Sequence, residues 1–172
     1  KRSLAEGTWM INVGSEKDTS RRAVEYASRY TTGVFAAVGL HPIQLRAQEI
    51  EEKENGETVK FTIPAEEFDE EYYTNLAGQE KVVAIGEIGL DYYRNAATKE
   101  LQKEVLLAQL KLASKLDKPV LLHCREAHDD LLKILKNFNN LLPERNEVES
   151  KADGASPSTG SGHKLVGVLH SF

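Results

Sequence analysis

The sequence predicts an α/β fold with a parallel sheet at its centre. Five short apolar runs alternate with stretches of helical period, the order that strand-helix-strand units produce. The runs are rich in Val, Ile, Leu and Ala without polar alternation, as strands covered on both faces are. Acidic and imidazole side chains follow directly after several of them, where α/β sheets and barrels keep their chemistry. At 172 residues, 40% apolar and 28% charged, the chain suffices for one domain with a core and is short for two, so a single domain over 1–172 is expected.

Taken in order, Trp9-Met10-Ile11-Asn12-Val13 reads as the first strand, closed by Gly14, with Ser15 or Asp18 available to cap the helix that follows. Ala23, Ala27 and Tyr30 share the apolar face of that helix, and Gly33 stops it. The second strand, 34–40, ends at His41-Pro42, where proline bars further central pairing. His41 is then either a turn histidine bonded to backbone or a direct participant in chemistry. From 45 to 80 the chain is acidic and interrupted: 49–57 reads as a solvated helix end or loop and 58–63 as a short extended excursion. A helix is expected over 65–76, with Phe68, Tyr72 and Leu76 four apart.

The third strand, 82–85, delivers Glu87. A carboxylate is seldom buried without a partner, so Glu87 is either a functional acid or a residue that caps the next loop or pairs with Arg94. Leu101, Val105, Ala108 and Leu112 mark a helix with Thr98 as its cap and Glu100 in its first turn. Pro119-Val120-Leu121-Leu122 is the fourth strand and leads into His123-Cys124-Arg125, and Leu131, Ile134, Leu135 and Phe138 mark another amphipathic helix. The stretch 143–162 is expected to be a flexible inserted loop, since 152–162 has almost nothing to bury. The fifth strand, 165–169, carries His170.

Composition narrows the function classes. A net charge of −5 argues against a generic basic surface for nucleic acid, without excluding a local phosphate site. No run approaches the roughly 18 apolar residues of a membrane span, and the first residues lack the apolar core of a signal peptide. The expectation is a protein of the cytoplasm or nucleus without membrane partners. Cys124, the single cysteine, is expected to be a small buried strand residue.

In a parallel sheet all carboxyl ends lie on one side. Glu87, His123 and His170, separated by 36 and 47 positions, would therefore project toward one cleft from successive strands. One carboxylate and two imidazoles are divalent-metal ligand chemistry, and water on such an ion becomes a nucleophile near neutral pH. Each histidine alone is better explained as a hydrogen-bonded core or turn residue; their joint position favours the metal.

Four stretches then carry a resemblance: Gly39-Leu40-His41-Pro42; Gly86-Glu87-Ile88-Gly89-Leu90-Asp91; 119–129, with its His123-x-Arg125-x-Ala127-x-Asp129 block; and Leu169-His170-Ser171-Phe172. In this order they resemble motifs of the TatD family of metal-dependent deoxyribonucleases. The resemblance implies a distorted TIM-type (β/α) barrel of the amidohydrolase superfamily with one or two divalent ions, Mg2+ or Zn2+. By that analogy Glu87 is a bridging ligand and catalytic residue, with His123 and His170 as further metal ligands. Arg125 takes a phosphate oxygen through its planar fork, or else pairs with Asp91 or Asp129. Asp91, given a catalytic role, lines the substrate side with Tyr92, Arg94 and His41. The implied reaction is hydrolysis of DNA, from the 3′ end.

The family pattern also begins with a His-x-His strand and ends with a late Asp, neither of which occurs here. A complete barrel takes about 250 residues, so the expectation is an internal segment with five of eight strands. Two rivals stand beside the nuclease: another hydrolase of small esters or amides, since one fold hosts many chemistries, and an inactive fragment.

Overall fold

The computed structural model describes residues 2–54, 57–94, 97–141 and 167–170. After a short helix α1 (Arg2–Ala5), the chain runs through β1 (Met10–Val13), α2 (Lys17–Ala27), β2 (Val34–Val38) and a 3-10 turn, Pro42–Leu45. It continues through β3 (Gln48–Glu54), β4 (Glu57–Ile63), α3 (Glu70–Ala77), β5 (Val82–Asp91), α4 (Lys99–Lys115), β6 (Val120–Arg125), α5 (His128–Leu141) and β7 (Gly167–His170). Five strands form one sheet in the order β1-β2-β5-β6-β7, every pair parallel. With the separate β3–β4 hairpin set aside, spatial order equals chain order. A sheet wound in one direction is the wall of a (β/α) barrel, whereas a doubly wound sheet reverses at a switch point. The architecture is thus the α/β, TIM-barrel-like and incomplete fold expected.

Local chemistry moves several boundaries. Neither Ser15 nor Asp18 caps α2; the Thr19 hydroxyl reaches back to accept from the N–H groups of Ser15 (2.9 Å) and Glu16 (3.1 Å), and the distant Glu66 carboxylate accepts from Lys17 N–H. The helix ends at Ala27, before Gly33, which takes a positive φ of 77°. The acidic stretch at 49–57 is not a helix end or simple loop. Most of it is strand β3, paired antiparallel to β4, where Lys60 opposite Glu51 forms an ion pair that offsets the acidic run. Helix α3 starts later than expected because Asp69 caps it, its Oδ1 accepting from Tyr72 N–H at 3.0 Å. Its buried stripe is accordingly Tyr73, Leu76 and Ala77, and Phe68 stacks on Tyr73 from outside the helix.

Strand β5 is longer than the apolar run that predicted it: pairing to β6 resumes after an irregularity between Ile85 and Ile88 and continues to Asp91. Glu87 therefore lies within the strand. Thr98 caps α4 as expected, accepting from Leu101 N–H, but the buried face is Gln102, Val105, Leu106, Gln109, Leu110, Leu112 and Ala113. Leu101 is exposed. The core joins this face to Val34, Ala36, Val38, Ile85, Ile88, Leu90, Val120 and Cys124, the last fully buried as expected. Trp9, Ile11 and Val13 along the outer strand β1 are exposed. The 143–162 stretch lies outside the described residues. No helix among the described residues is long and apolar enough to cross a membrane.

Candidate metal centre

Three neighbouring strands close in on one another toward their carboxyl ends because glycine removes what would keep them apart. A Cβ at Gly86 would stand 2.6 Å from Leu121 Cβ, and one at Gly89 would collide with the His123 carbonyl oxygen. Gly89 also has φ +151°, a conformation that side chains rarely adopt. The turn after β1 ties the group together from the other side. Gly14 O accepts from Glu87 N–H at 3.1 Å and Ser15 O from His41 N–H at 2.9 Å, so one turn holds the backbone of both residues.

The centre of the group is His123. Its Nδ1 lies 3.1 Å from Glu87 Oε1 and its Nε2 3.2 Å from Asp91 Oδ2. The side chains of His123 and Asp91 are only 8% and 4% exposed, that of Glu87 22%. Burial works against a charge on His123, but hydrogen bonds to Asp91 and Glu87 override it and lift the imidazole to about 9. Burial also opposes ionisation of Asp91, yet the bonds from His123 and from Arg94 N–H hold that carboxyl below its usual range.

His41 stands with its ring 4.3 Å from that of His123, centroid to centroid and edge-on. Both readings of this residue meet here: Nδ1 accepts from Ile43 N–H at 3.1 Å, and the ring still reaches the cluster. Burial, then the charge of His123, push it down to about 4, so the ring is neutral near pH 7. With Nδ1 an acceptor, the proton of the neutral ring sits on Nε2, which makes Nε2 a donor.

The donors suit a divalent ion. His41, Glu87 and His123 each bring a potential ligand atom within 4.8 Å of the others. Glu87 and His123 have the right chemistry as they stand, once His123 gives up a proton. With Asp91 on Nε2, the nitrogen facing Glu87, Nδ1, is the one that could reach an ion, and Asp91 is the kind of carboxylate that steadies metal-bound imidazoles. His41, wired as an N–H donor, suits a hydrogen bond to an anionic oxygen better than a metal bond.

Other expected site residues lie around this cluster. The Arg125 guanidinium stacks 3.8 Å over the Tyr93 ring. Tyr93 is 58% exposed, and nothing in the sequence pattern distinguished it from Tyr92. The Tyr92 hydroxyl donates to Asp130 Oδ2 at 2.8 Å, which ties it to α5. Arg94 is exposed, but its charge is close enough to help depress His41. His170 pairs in register with His123 across β6 and β7, which puts its backbone on the adjacent strand at the same level. The backbone contacts of Gly14 and Ser15 carry no side-chain signal, and for that reason the sequence does not announce them.

The family model described as TatD related DNase matches residues 1–146. An uncharacterized metal-dependent hydrolase, YabD, of Bacillus subtilis is 35% identical over 127 residues, 74% of this chain and 43% of that protein. The 3'-5' ssDNA/RNA exonuclease TatD of Klebsiella pneumoniae is 37% identical over 134 residues, 78% of this chain and 44% of its own length. Among solved structures, the TatD homologue YJJV of Escherichia coli K12 superposes with a TM-score of 0.60 at 32% identity, covering 76% of this chain and 44% of that one. An uncharacterized amidohydrolase of Saccharomyces cerevisiae shares the fold at a TM-score of 0.60 and 22% identity, covering 96% of this chain and 51% of that one. The chain spans less than half the length of the two curated relatives.

Proposed function

The chain belongs to the TatD-related DNase family, and from that premise we propose that it carries part of a divalent-metal centre that hydrolyses DNA phosphodiesters from a 3′ end. The observation that supports this most is His123 held between Glu87 and Asp91 with His41 against its ring. Glu87 and His123 would hold the ion, Mg2+ or Zn2+, with His170 as the further ligand that its sequence motif implies. The bound ion supplies Lewis acidity toward water and phosphate.

The remaining steps rest on the chain's own residues. Asp91 fixes the His123 ring through Nε2 and thereby aims Nδ1. Neutral His41 donates Nε2–H to a phosphate oxygen. Arg125, kept flat by Tyr93, offers its planar fork to a second oxygen, so negative charge that grows on phosphorus oxygens meets donors already in place. Arg94 adds positive charge at the mouth, and Tyr92, whose hydroxyl is committed to Asp130, serves as a wall rather than a donor to substrate. Relatives named for action on single-stranded DNA and RNA support a nucleic acid as substrate.

The test is made on the full-length protein with labelled DNA and RNA oligonucleotides. Glu87→Ala and His123→Ala are expected to lower bound metal and to reduce hydrolysis by about 100-fold or more, the scale of removing a group that acts in the transition state. Chelation should abolish the wild-type reaction, and added Mg2+ or Zn2+ should restore it. Undiminished DNA hydrolysis by both variants would overturn the assignment.

A further inference from the structure

The apolar stripe of α4 contains two polar residues, Gln102 and Gln109, each only 1% exposed. Each amide makes the same reciprocal pair of bonds to one backbone residue. Gln102 Oε1 accepts from Asp91 N–H at 2.8 Å while its Nε2 donates to Asp91 O at 3.0 Å and to Ala97 O at 3.1 Å. Gln109 Oε1 accepts from Leu40 N–H at 2.8 Å while its Nε2 donates to Leu40 O at 3.0 Å. Both targets stand at site residues: Asp91 contacts His123, and Leu40 immediately precedes His41.

We propose that Gln102 and Gln109 are positioning residues, a pair of amide clamps on one rigid helix that sets the separation of His41 from the Glu87–His123–Asp91 group. The inference rests on the metal-centre reading above. Described pairing of β2 to β5 ends at Val38 with Ile85, so Leu40 lies beyond that ladder. Asp91 is paired to β6 only on its other edge. At both places the glutamine amide supplies the donor and acceptor that a neighbouring strand would supply, which keeps buried backbone groups satisfied where the sheet has opened.

Filling the space does not require glutamine, since methionine or leucine has similar bulk. What those residues lack is the two-point bond that fixes both translation and rotation of a peptide. Seven residues of helix separate the clamps by about 10 Å, and a straight helix does not stretch. A shift of one strand end is therefore resisted by the other. Ser20, fully buried on α2, bonds Gly39 N–H and O, and Ser15 O holds His41 N–H. The residues leading into His41 are thus pinned in succession, and α4 is the element that links them to Asp91.

The experiment uses the full-length protein and the variants Gln102→Met and Gln109→Met, with Leu110→Ala as a control that weakens the packing of the same helix and keeps both glutamine amides. Thermal melting normalises each sample to its folded fraction. Amide hydrogen exchange at Asp91 and Leu40, Mn2+ affinity by calorimetry, and kcat and KM on a single-stranded oligonucleotide are then measured. Loss of groups that orient ligands costs about 10- to 100-fold, and losses of that order in Mn2+ affinity and kcat are expected for both glutamine variants, with KM nearly unchanged. Exchange should quicken at Asp91 in one variant and at Leu40 in the other. Leu110→Ala should melt earlier yet bind Mn2+ as the wild type does.

Glutamine variants whose exchange quickens while Mn2+ affinity and kcat stay at wild-type values would overturn the clamp. So would a Leu110→Ala variant that loses affinity equally. Should either methionine variant fail to fold, Gln102→Leu or Gln109→Leu, which also lacks both donor and acceptor, is measured in its place. Glu87→Ala, run alongside, separates the two claims. Lost Mn2+ binding there with intact binding in the glutamine variants removes the clamp and leaves the metal centre standing. Retained binding in Glu87→Ala removes the metal centre itself.

Discussion

A buried imidazole between two carboxylates makes stability depend on pH in a defined direction. His123 is lifted from its ordinary 6.5 to about 9, so its contribution is complete below 6.5 and is lost as pH rises through 9. His41 is pushed from 6.5 down to about 4 by burial, so folding is penalised as pH falls from 6.5 toward 4. The two effects together place the optimum of the chelated protein near pH 6.5. Melting temperatures of chelated wild type and His123→Gln, measured between pH 5 and 9.5, check this: the gap between them should narrow above pH 6.5 and be smallest at the alkaline end. The sequence displays His41, Glu87 and His123 through their place after apolar runs. It says nothing of charge or tautomer, because those follow from Asp91 lying 3.2 Å from one ring nitrogen and Ile43 N–H lying 3.1 Å from another ring.

Strand β5 shows how an element can be longer than its hydrophobic signal. The apolar run 82–85 marks only its first part, and the rest contains two glycines and two acids that no strand propensity favours. It remains a strand because Gly86 and Gly89 let β6 approach closely enough to pair. Gly89→Ala should therefore cost about 1–3 kcal/mol, the usual penalty for a side chain in a sparsely allowed backbone region, and more if the collision with His123 O forces β6 away. Gly78 offers the contrast. It ends α3 at φ −70°, ψ −10°, where an added Cβ would meet nothing closer than 3.5 Å. Gly78→Ala should leave stability unchanged or raise it by up to about 1 kcal/mol, and urea denaturation of the two variants distinguishes the cases. Helix α4 teaches a related lesson. Its period was legible from Leu101, Val105, Ala108 and Leu112, but the face actually buried is rotated to include Gln102 and Gln109. Glutamine counts as polar in any periodicity reading, and only its partners on two strand ends explain why it is inside.

Across the sheet, one edge is left with apolar side chains facing outward. Trp9 is 72% exposed, and Ile11 and Val13 are each 46% exposed, all on or beside the outer strand β1. An uncovered apolar strand edge templates pairing with other chains. The 172-residue polypeptide is expected to self-associate, and Ile11→Lys with Val13→Lys should shift it toward the monomer in sedimentation velocity. The singly wound order β1-β2-β5-β6-β7 is a property of the folded sheet, whereas the parallel α/β class and the acid and imidazoles that follow apolar runs were present in the chain as written. They follow from local facts: strand-length apolar runs, helical periods between them, and the rule that parallel strands end on one side. Close packing and hydrogen bonding settled the rest, since they join residues far apart in sequence. Gln109 meets Leu40 across 69 positions and His123 meets Glu87 across 36, and no pattern along the chain encodes which donor finds which acceptor.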